Sequence, residues 1–396
     1  MKSIRVHSLA TVVVVLLTAL APSPASAQAF KVLHAFGKGT DGQTPFTGLI
    51  QGSGSNRYGT TVYGGAGQYG TVYKLSSTGK ESVLYNFCSK TNCADGADPE
   101  GGVIPDSQGN LYGTTGFGGT HNDGIIYKIS SSGRETILYS FKGGTDGKQP
   151  LGSLLEDSKG NFYGVTIFGG GSANVGTVFK LAASGKESIV YRFTGGTDGA
   201  KPFSGVIQDS QGNLYGTTYE GGASGNGVIF EISSAGTEST LYTFTGGADG
   251  AAPATSLILD SEGNLYGTAS AGGNGNGTLF EWVKATGNLN VLYTFCSRSN
   301  CADGSTPLQA VVQDTHGNFY GTTYFGGSDN YGTVFEFASG GTETVLHNFS
   351  GTDGIHPYEG GLLLDSNGTL YGTTPDGGNL SCGEGPGCGV IFKLTP

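Results

Sequence analysis

The sequence predicts an all-β protein, a seven-bladed β-propeller of four-stranded antiparallel blades, closed by pairing of its N-terminal strand with the last blade. Three observations carry this prediction. First, the stretch DSQGNLYGTT at 106–115 returns intact at 209–218. Looser copies start at Asp157, Asp260, Asp314 and Asp365, and a degenerate one, GSGSNRYGTT, starts at Gly52. Their tyrosines (Tyr58, Tyr112, Tyr163, Tyr215, Tyr266, Tyr320, Tyr371) stand 54, 51, 52, 51, 54 and 51 residues apart. A fixed period of this size signals a repeat architecture. Second, each period holds four short runs rich in Val, Ile, Tyr, Phe and Thr between Gly/Asp/Ser turns, the pattern of antiparallel hairpins. Third, the two chain ends supply strand types that are joined by a short hairpin everywhere else: KVLHAF (31–36) at the start and VIFKL (390–394) at the finish. Pairing them completes a seventh blade and removes open sheet edges.

Residues 1–27 read as a signal peptide. Lys2 and Arg5 precede the apolar run LATVVVVLLTALA, and Ala25-Ser26-Ala27 forms a small-residue cleavage site. The run is short for a membrane span. Loss of Lys2 and Arg5 takes the formal net charge from −11 to −13. So acidic a chain offers no footprint for nucleic acid and disfavours anionic membrane surfaces. The expected location is secreted, extracellular or periplasmic.

Residues 28–396 then read as one propeller domain. In one copy the innermost strand, FSGVIQD (203–209), turns through Asp209-Ser210-Gln211-Gly212 into NLYGTTY (213–219). A Gly-rich loop leads to GVIFEIS (227–233), and a second turn leads to STLYTF (239–244). Runs that are apolar on both alternations fit sheets covered on both faces by neighbouring blades. In D-S-x-G-N, Asp and Ser bond the backbone ahead and Gly takes a positive φ. The motif tyrosine is expected to pack between blades. A β-solenoid is the rival architecture, but its coils are usually shorter than this period.

The six cysteines form three local pairs: Cys88 with Cys93, Cys296 with Cys301, and Cys382 with Cys388. An even count in an exported chain reads as disulfides. C-x4-C and C-x5-C spacings without histidine partners make poor zinc sites.

GNLYGTTxxGG, GTVFKL (176–181) and F-x-GG-T-DG-xx-P resemble the Gloeobacter/Verrucomicrobia-type tandem repeat along the whole mature chain. That resemblance implies an exported repeat protein of propeller type and no particular reaction. Members often carry a C-terminal anchoring segment. This sequence finishes at Thr395-Pro396, so free secretion is the expectation. DSQGNLYGTT is also similar, more distantly, to the D-x-x-G-x-(Leu)-(Trp)-x-G-T pattern of sensor propellers.

Strand order sorts the loops. The D-S-x-G-N turns and the S-S-G-K-E-type turns share one face, short and nearly constant among the repeats. The Gly-rich loops after YGTT and the D-G-x-x-P connections share the other, where length and composition vary and all six cysteines fall. A rigid scaffold with varied loops on one side is the layout of a binding face. Tyr63, Phe117, Phe168, Tyr219, Tyr324 and Phe325 on these loops are the candidate ligand-binding residues, able to stack on sugar rings or grip a partner protein. The plainer reading is that they cap the blade interface. The aspartates of D-G-x-x-P invite a calcium hypothesis, but they are spread one per blade and lack convergent D-x-D-x-D spacing, which favours a turn-forming role. No metal or cofactor is expected.

Catalytic motifs are absent: there is no G-x-S-x-G and no H-E-x-x-H. The catalytic candidates are Glu100, Glu359 and His356, where innermost strands begin at the mouth of the central channel. They would suit glycoside hydrolysis by paired acids or a lyase-type proton abstraction. The leading expectation is a non-catalytic, monomeric propeller that binds an extracellular glycan or protein. A carbohydrate-active enzyme and a structural envelope protein are the alternatives.

Overall fold

The computed structural model describes residues 28–358, 361–382 and 385–396, so the expected signal peptide lies outside the described residues. Seven four-stranded antiparallel sheets follow one another along the chain as the blades of a ring. Blades 1 to 6 each use four successive strands. Blade 7 joins Leu363–Leu364, Leu370–Thr374 and Val390–Thr395 to Ala29–Ala35. Its closing register runs from Ala29 opposite Thr395 to Ala35 opposite Val390. The Phe30 ring stacks on His347 of blade 6 at 3.7 Å and on Phe392 at 5.3 Å.

Each residue of the repeated motif has a geometric task, seen best in blade 4. Asp209 Oδ1 accepts the backbone N–H groups of Gln211 and Asn213, each at 2.9 Å. Its Oδ2 accepts the Asn213 amide at 2.9 Å and the Tyr215 hydroxyl at 3.1 Å. Asn213 Oδ1 in turn accepts the Ser234 N–H at 3.0 Å, tying this turn to the second turn of the same face. Burial works against ionising Asp209, but these hydrogen bonds outweigh it and hold the carboxyl below its ordinary value. Asp106, Asp157, Asp260 and Asp314 show the same balance. Gly216 leaves room for a ring: a Cβ there would stand 2.6 Å from Phe230 Cζ. Thr217 Oγ1 donates to the Thr255 carbonyl of the next blade at 3.2 Å. Across the closure, Thr373 does the same to Thr47 at 3.0 Å. Thr218 Oγ1 donates to the Glu220 carbonyl at 2.9 Å and so shapes the Gly-rich loop. The motif therefore carries shape.

One element departs from expectation. The innermost strand is not the seven-residue run 203–209 but Ile207–Gln208, and five other blades also keep only two residues there. The preceding segment holds a left-handed residue and then a proline, which lacks an N–H, so ladder pairing starts late. Blade 3 is the exception. Its strand Lys148–Glu156 regains pairs at Pro150–Thr166 and Leu151–Val165, with a register shift before Leu155.

The outer rim makes a pH prediction. Glu81, Glu187 and Glu343 open their outermost strands, and each has one buried carboxylate oxygen with no hydrogen-bond partner among the described residues. Burial pushes all three carboxyls up to about 7, even though His34 opposes the shift at Glu81 and Arg298, 2.7 Å away, opposes it at Glu343. A raised folded-state value means their stabilising contribution is complete below the unfolded value near 4.5 and is lost as pH rises through about 7. The depressed aspartates act in the opposite sense, losing theirs as pH falls below 3.8. The thermal midpoint, followed by circular dichroism, should therefore peak at about pH 4–5 and fall toward pH 8. Glu187→Gln should flatten that fall.

Candidate functional site

The seven D-G-x-x-P connections set out the varied face. Their aspartates do not converge on an ion; each caps its own turn. Asp95 accepts the Ser89 and Lys90 N–H groups, the Ser89 hydroxyl and the Tyr85 hydroxyl. His34 and His347 stand in the tyrosine's place and bond Asp41 and Asp353 at 3.0 and 2.9 Å. Among the described residues no group of three or more His, Cys, Asp or Glu could hold a metal ion. The disulfides Cys88–Cys93, Cys296–Cys301 and Cys382–Cys388 all lie in the connections and Gly-rich loops of this face.

The residue before the proline of each connection adopts a left-handed backbone: Thr44, Asp98, Gln149, Lys201, Ala252, Thr306 and His356 have φ between 53° and 57°. This region is costly for residues other than glycine and persists only where the surroundings impose it. Here the surroundings are the loops of two blades. Each N–H donates to the preceding blade's Gly-rich loop, as from Asp98 to the Tyr69 carbonyl (3.0 Å) and from His356 to that of Tyr331 (2.9 Å). The carbonyl accepts from the blade's own loop, as at Asp98 from Gly116 (2.9 Å) and at Lys201 from Tyr219 (3.0 Å). One backbone geometry thus presents seven positions around the mouth, occupied by six different residue types.

Two sectors differ in chemistry. Between blades 6 and 7, the Tyr324 ring stacks on His356 at 4.5 Å with 12° between planes, and the Phe325 edge meets Tyr324 at 4.5 Å. Tyr358 lies 5.7 Å from Tyr324 and 4.5 Å from Phe46. Phe325 and Tyr331 keep 38% and 37% of their surface exposed, enough for a ligand to stack on. His356 Nδ1 lies 3.7 Å from Asp376. Between blades 1 and 2 the sector is acidic. Burial pushes the Asp98 carboxyl up to about 6, and Asp98 Oδ1 is buried without a hydrogen-bond partner among the described residues. Burial also raises Glu100, against the Gln149 amide at 3.4 Å and with the help of Asp98. Tyr63 stands beside both acids, with its own hydroxyl raised by burial and then by their charge, yet it is half exposed. Glu100 also lines a channel cavity of about 180 Å³ with Thr47, Ser153, Ser204 and Thr255.

The structure thus gathers Tyr324, Phe325 and His356 into one cluster and sets Tyr63 beside Glu100. Tyr219 lies against Phe203 at 5.2 Å, next to the Lys201–Glu220 ion pair at 2.8 Å. Phe117 and Phe168 are half-buried on the loops of blades 2 and 3. Glu359 lies outside the described residues. Asp98 escaped the sequence reading. Its signal was the segment DGADP, the one D-G-x-x-P copy with an acid directly before its proline.

The sequence profile described as the Gloeobacter/Verrucomicrobia repeat matches residues 19–174 and 152–385. No curated protein sequence matches the chain. Among solved structures it is similar to the extracellular domain of a protein described as a hybrid two-component system of B. thetaiotaomicron. That pair has 13% identity and a TM-score of 0.56, covering 93% of this chain and 41% of that one. A protein described as a one-component system of the same organism gives 12%, 0.57, 92% and 39% for the same quantities. A Bacteroides uniformis protein described as a 6-phosphogluconolactonase gives 15%, 0.50, 83% and 87%. The chain spans about two fifths of the first two. At such identities the likeness shows the fold alone.

Proposed function

Starting from the fact that the chain belongs to the Gloeobacter/Verrucomicrobia repeat family, we propose that it is an exported, monomeric propeller whose varied face binds an extracellular glycan without transforming it. The observation that carries this reading is the ring of seven like-built positions with unlike side chains, flanked by exposed aromatic rings. Aromatic faces take the C–H face of a sugar. Asp98, Glu100 and Gln149 across the mouth supply acceptors and a donor for hydroxyls. The three disulfides favour an extracellular or periplasmic location, and the extracellular domains among the structural neighbours support it. No helix among the described residues is long and apolar enough to cross a membrane.

Isothermal titration against a panel of cell-wall and plant polysaccharides tests the reading. At least one should bind, and Tyr324→Ala with Phe325→Ala should weaken it by about tenfold or more, equivalent to roughly 1.4 kcal/mol. No heat from any member of the panel, or unchanged affinity in the double variant, contradicts it.

The raised carboxyls of Asp98 and Glu100 favour one second reading, a glycoside hydrolase or lyase. A carboxyl that holds its proton toward neutral pH is what a general acid needs. Release of reducing ends or unsaturated uronates that vanishes in Asp98→Asn and Glu100→Gln would establish it.

A further inference from the structure

We propose a second ligand site on the opposite, constant face: the cleft at the seam of blades 7 and 1, built to take an uncharged sugar unit. It goes beyond the varied-face reading and stands independently of it.

The two repeats that break the pattern D-x-x-G-N-(Leu/Phe)-Tyr meet at this seam. Blade 1 has Gly52 in place of the motif aspartate and Arg57 in place of its Leu or Phe; blade 7 has Thr369 in place of the asparagine. Elsewhere the next blade offers the motif tyrosine an apolar Leu or Phe, as Phe162 does for Tyr112 at 4.6 Å and Phe319 for Tyr266 at 5.0 Å. Here the Arg57 guanidinium lies 3.5 Å over the Tyr371 ring. The Arg57 side chain is only 8% exposed, and its Nε has no hydrogen-bond partner among the described residues.

Asp365 is altered in step. Its Oδ1 keeps the Asn367 and Thr369 N–H groups at 2.9 and 3.0 Å. Its Oδ2 has lost the amide that Asn110, Asn161, Asn213, Asn264 and Asn318 supply in other blades. That oxygen lies 3.7 Å from Arg57 Nη2, beyond hydrogen-bond distance. No carboxylate fits at position 52, where a Cβ would stand 2.3 Å from the Tyr58 ring. A cleft of about 330 Å³ results. Gln51, Ser55, Arg57, Asp365, Ser366 and Asn367 line it over Leu363 and Leu364.

A guanidinium donor beside a carboxylate acceptor fits two neighbouring hydroxyls of one sugar, each able to donate and accept. The paired charges cancel, and the chain's net charge of −11 disfavours anionic polymers. The leucines offer an apolar floor for the ring's C–H face.

Arg57→Leu and Thr369→Asn restore the repeat's own residues, so both variants should fold. The test uses nitrogen-15 NMR of arginine Nε–H groups, with the Arg57 cross-peak identified by its loss in Arg57→Leu. The probes are cellohexaose, mannohexaose and xylohexaose. At least one should shift the Arg57 cross-peak in the native chain and equally in Tyr324→Ala/Phe325→Ala, so that failure of the varied-face reading leaves this result intact. Thr369→Asn, by returning an amide to Asp365, should reduce that shift at least several-fold. A cross-peak unmoved by all three hexaoses overturns the proposal. So does a shift that disappears with Tyr324 and Phe325, or one that Thr369→Asn leaves unchanged.

Discussion

A chain lacking residues 28–36 loses its cooperative thermal transition. These residues are the whole outermost strand of blade 7 and the phenylalanine behind it. Their removal breaks the pairing from Ala29–Thr395 to Ala35–Val390 and bares the edge of Val390–Thr395. It takes Phe30 from between His347 and Phe392. It also takes Phe36, fully buried and 5.3 Å from Tyr73 of blade 1. Phe36→Ala alone should cost about 3–5 kcal/mol. Truncation adds the lost ladder and an open edge, which invites association with other chains. Calorimetry should show a broad transition lowered by more than about 10 °C, and light scattering should show oligomers. A truncated chain that melts sharply at the native midpoint would mean that blade 7 stands without this strand.

The same substitution at two glycines has opposite signs. Gly216→Ala drives a Cβ to 2.6 Å from Phe230 Cζ and 3.0 Å from Cε1, and Phe230 is fully buried with no room to retreat. Overpacking of this kind costs about 1–3 kcal/mol. Gly340→Ala meets nothing within 4 Å among the described residues, and its φ is not left-handed. It should gain about 0.4–1 kcal/mol by restricting the unfolded chain. Urea midpoints read both. Equal effects at the two sites would show that the motif glycine serves some end other than seating the ring. Gly59, Gly113, Gly164, Gly267, Gly321 and Gly372 face the same ring position in their blades, so the result extends to each of them.

Much of the fold was legible because the repeat states it seven times. The period of Tyr58 to Tyr371 gives the blade count, and the strand types at 31–36 and 390–394 give the closure. The close spacing of each cysteine pair left little choice of partner. Less legible was whatever depends on two blades at once. Asp98 sits in an ordinary connecting segment; its strained backbone is held by Tyr69 of blade 1 and Gly116 of its own blade, and its carboxyl is raised by the burial that the two blades impose. Thr373 bonds Thr47 across 326 residues, a contact no local pattern announces. Arg57 reads as an eroded repeat in sequence, and its meaning appears only when Tyr371 and Asp365 are seen beneath it. The innermost strands were overestimated because their apolar alternation is real while the left-handed residue and proline upstream delay pairing.

Native-state hydrogen exchange tests the closed ring most directly. The paired amides of Ala29–Ala35 and Val390–Thr395 should exchange only through global unfolding, with the same free energy as those of Val228–Ile232 inside blade 4. Exchange of both terminal strands at the rates of fraying ends, with blade 4 still protected, would mean that the ring is open and its seam absent.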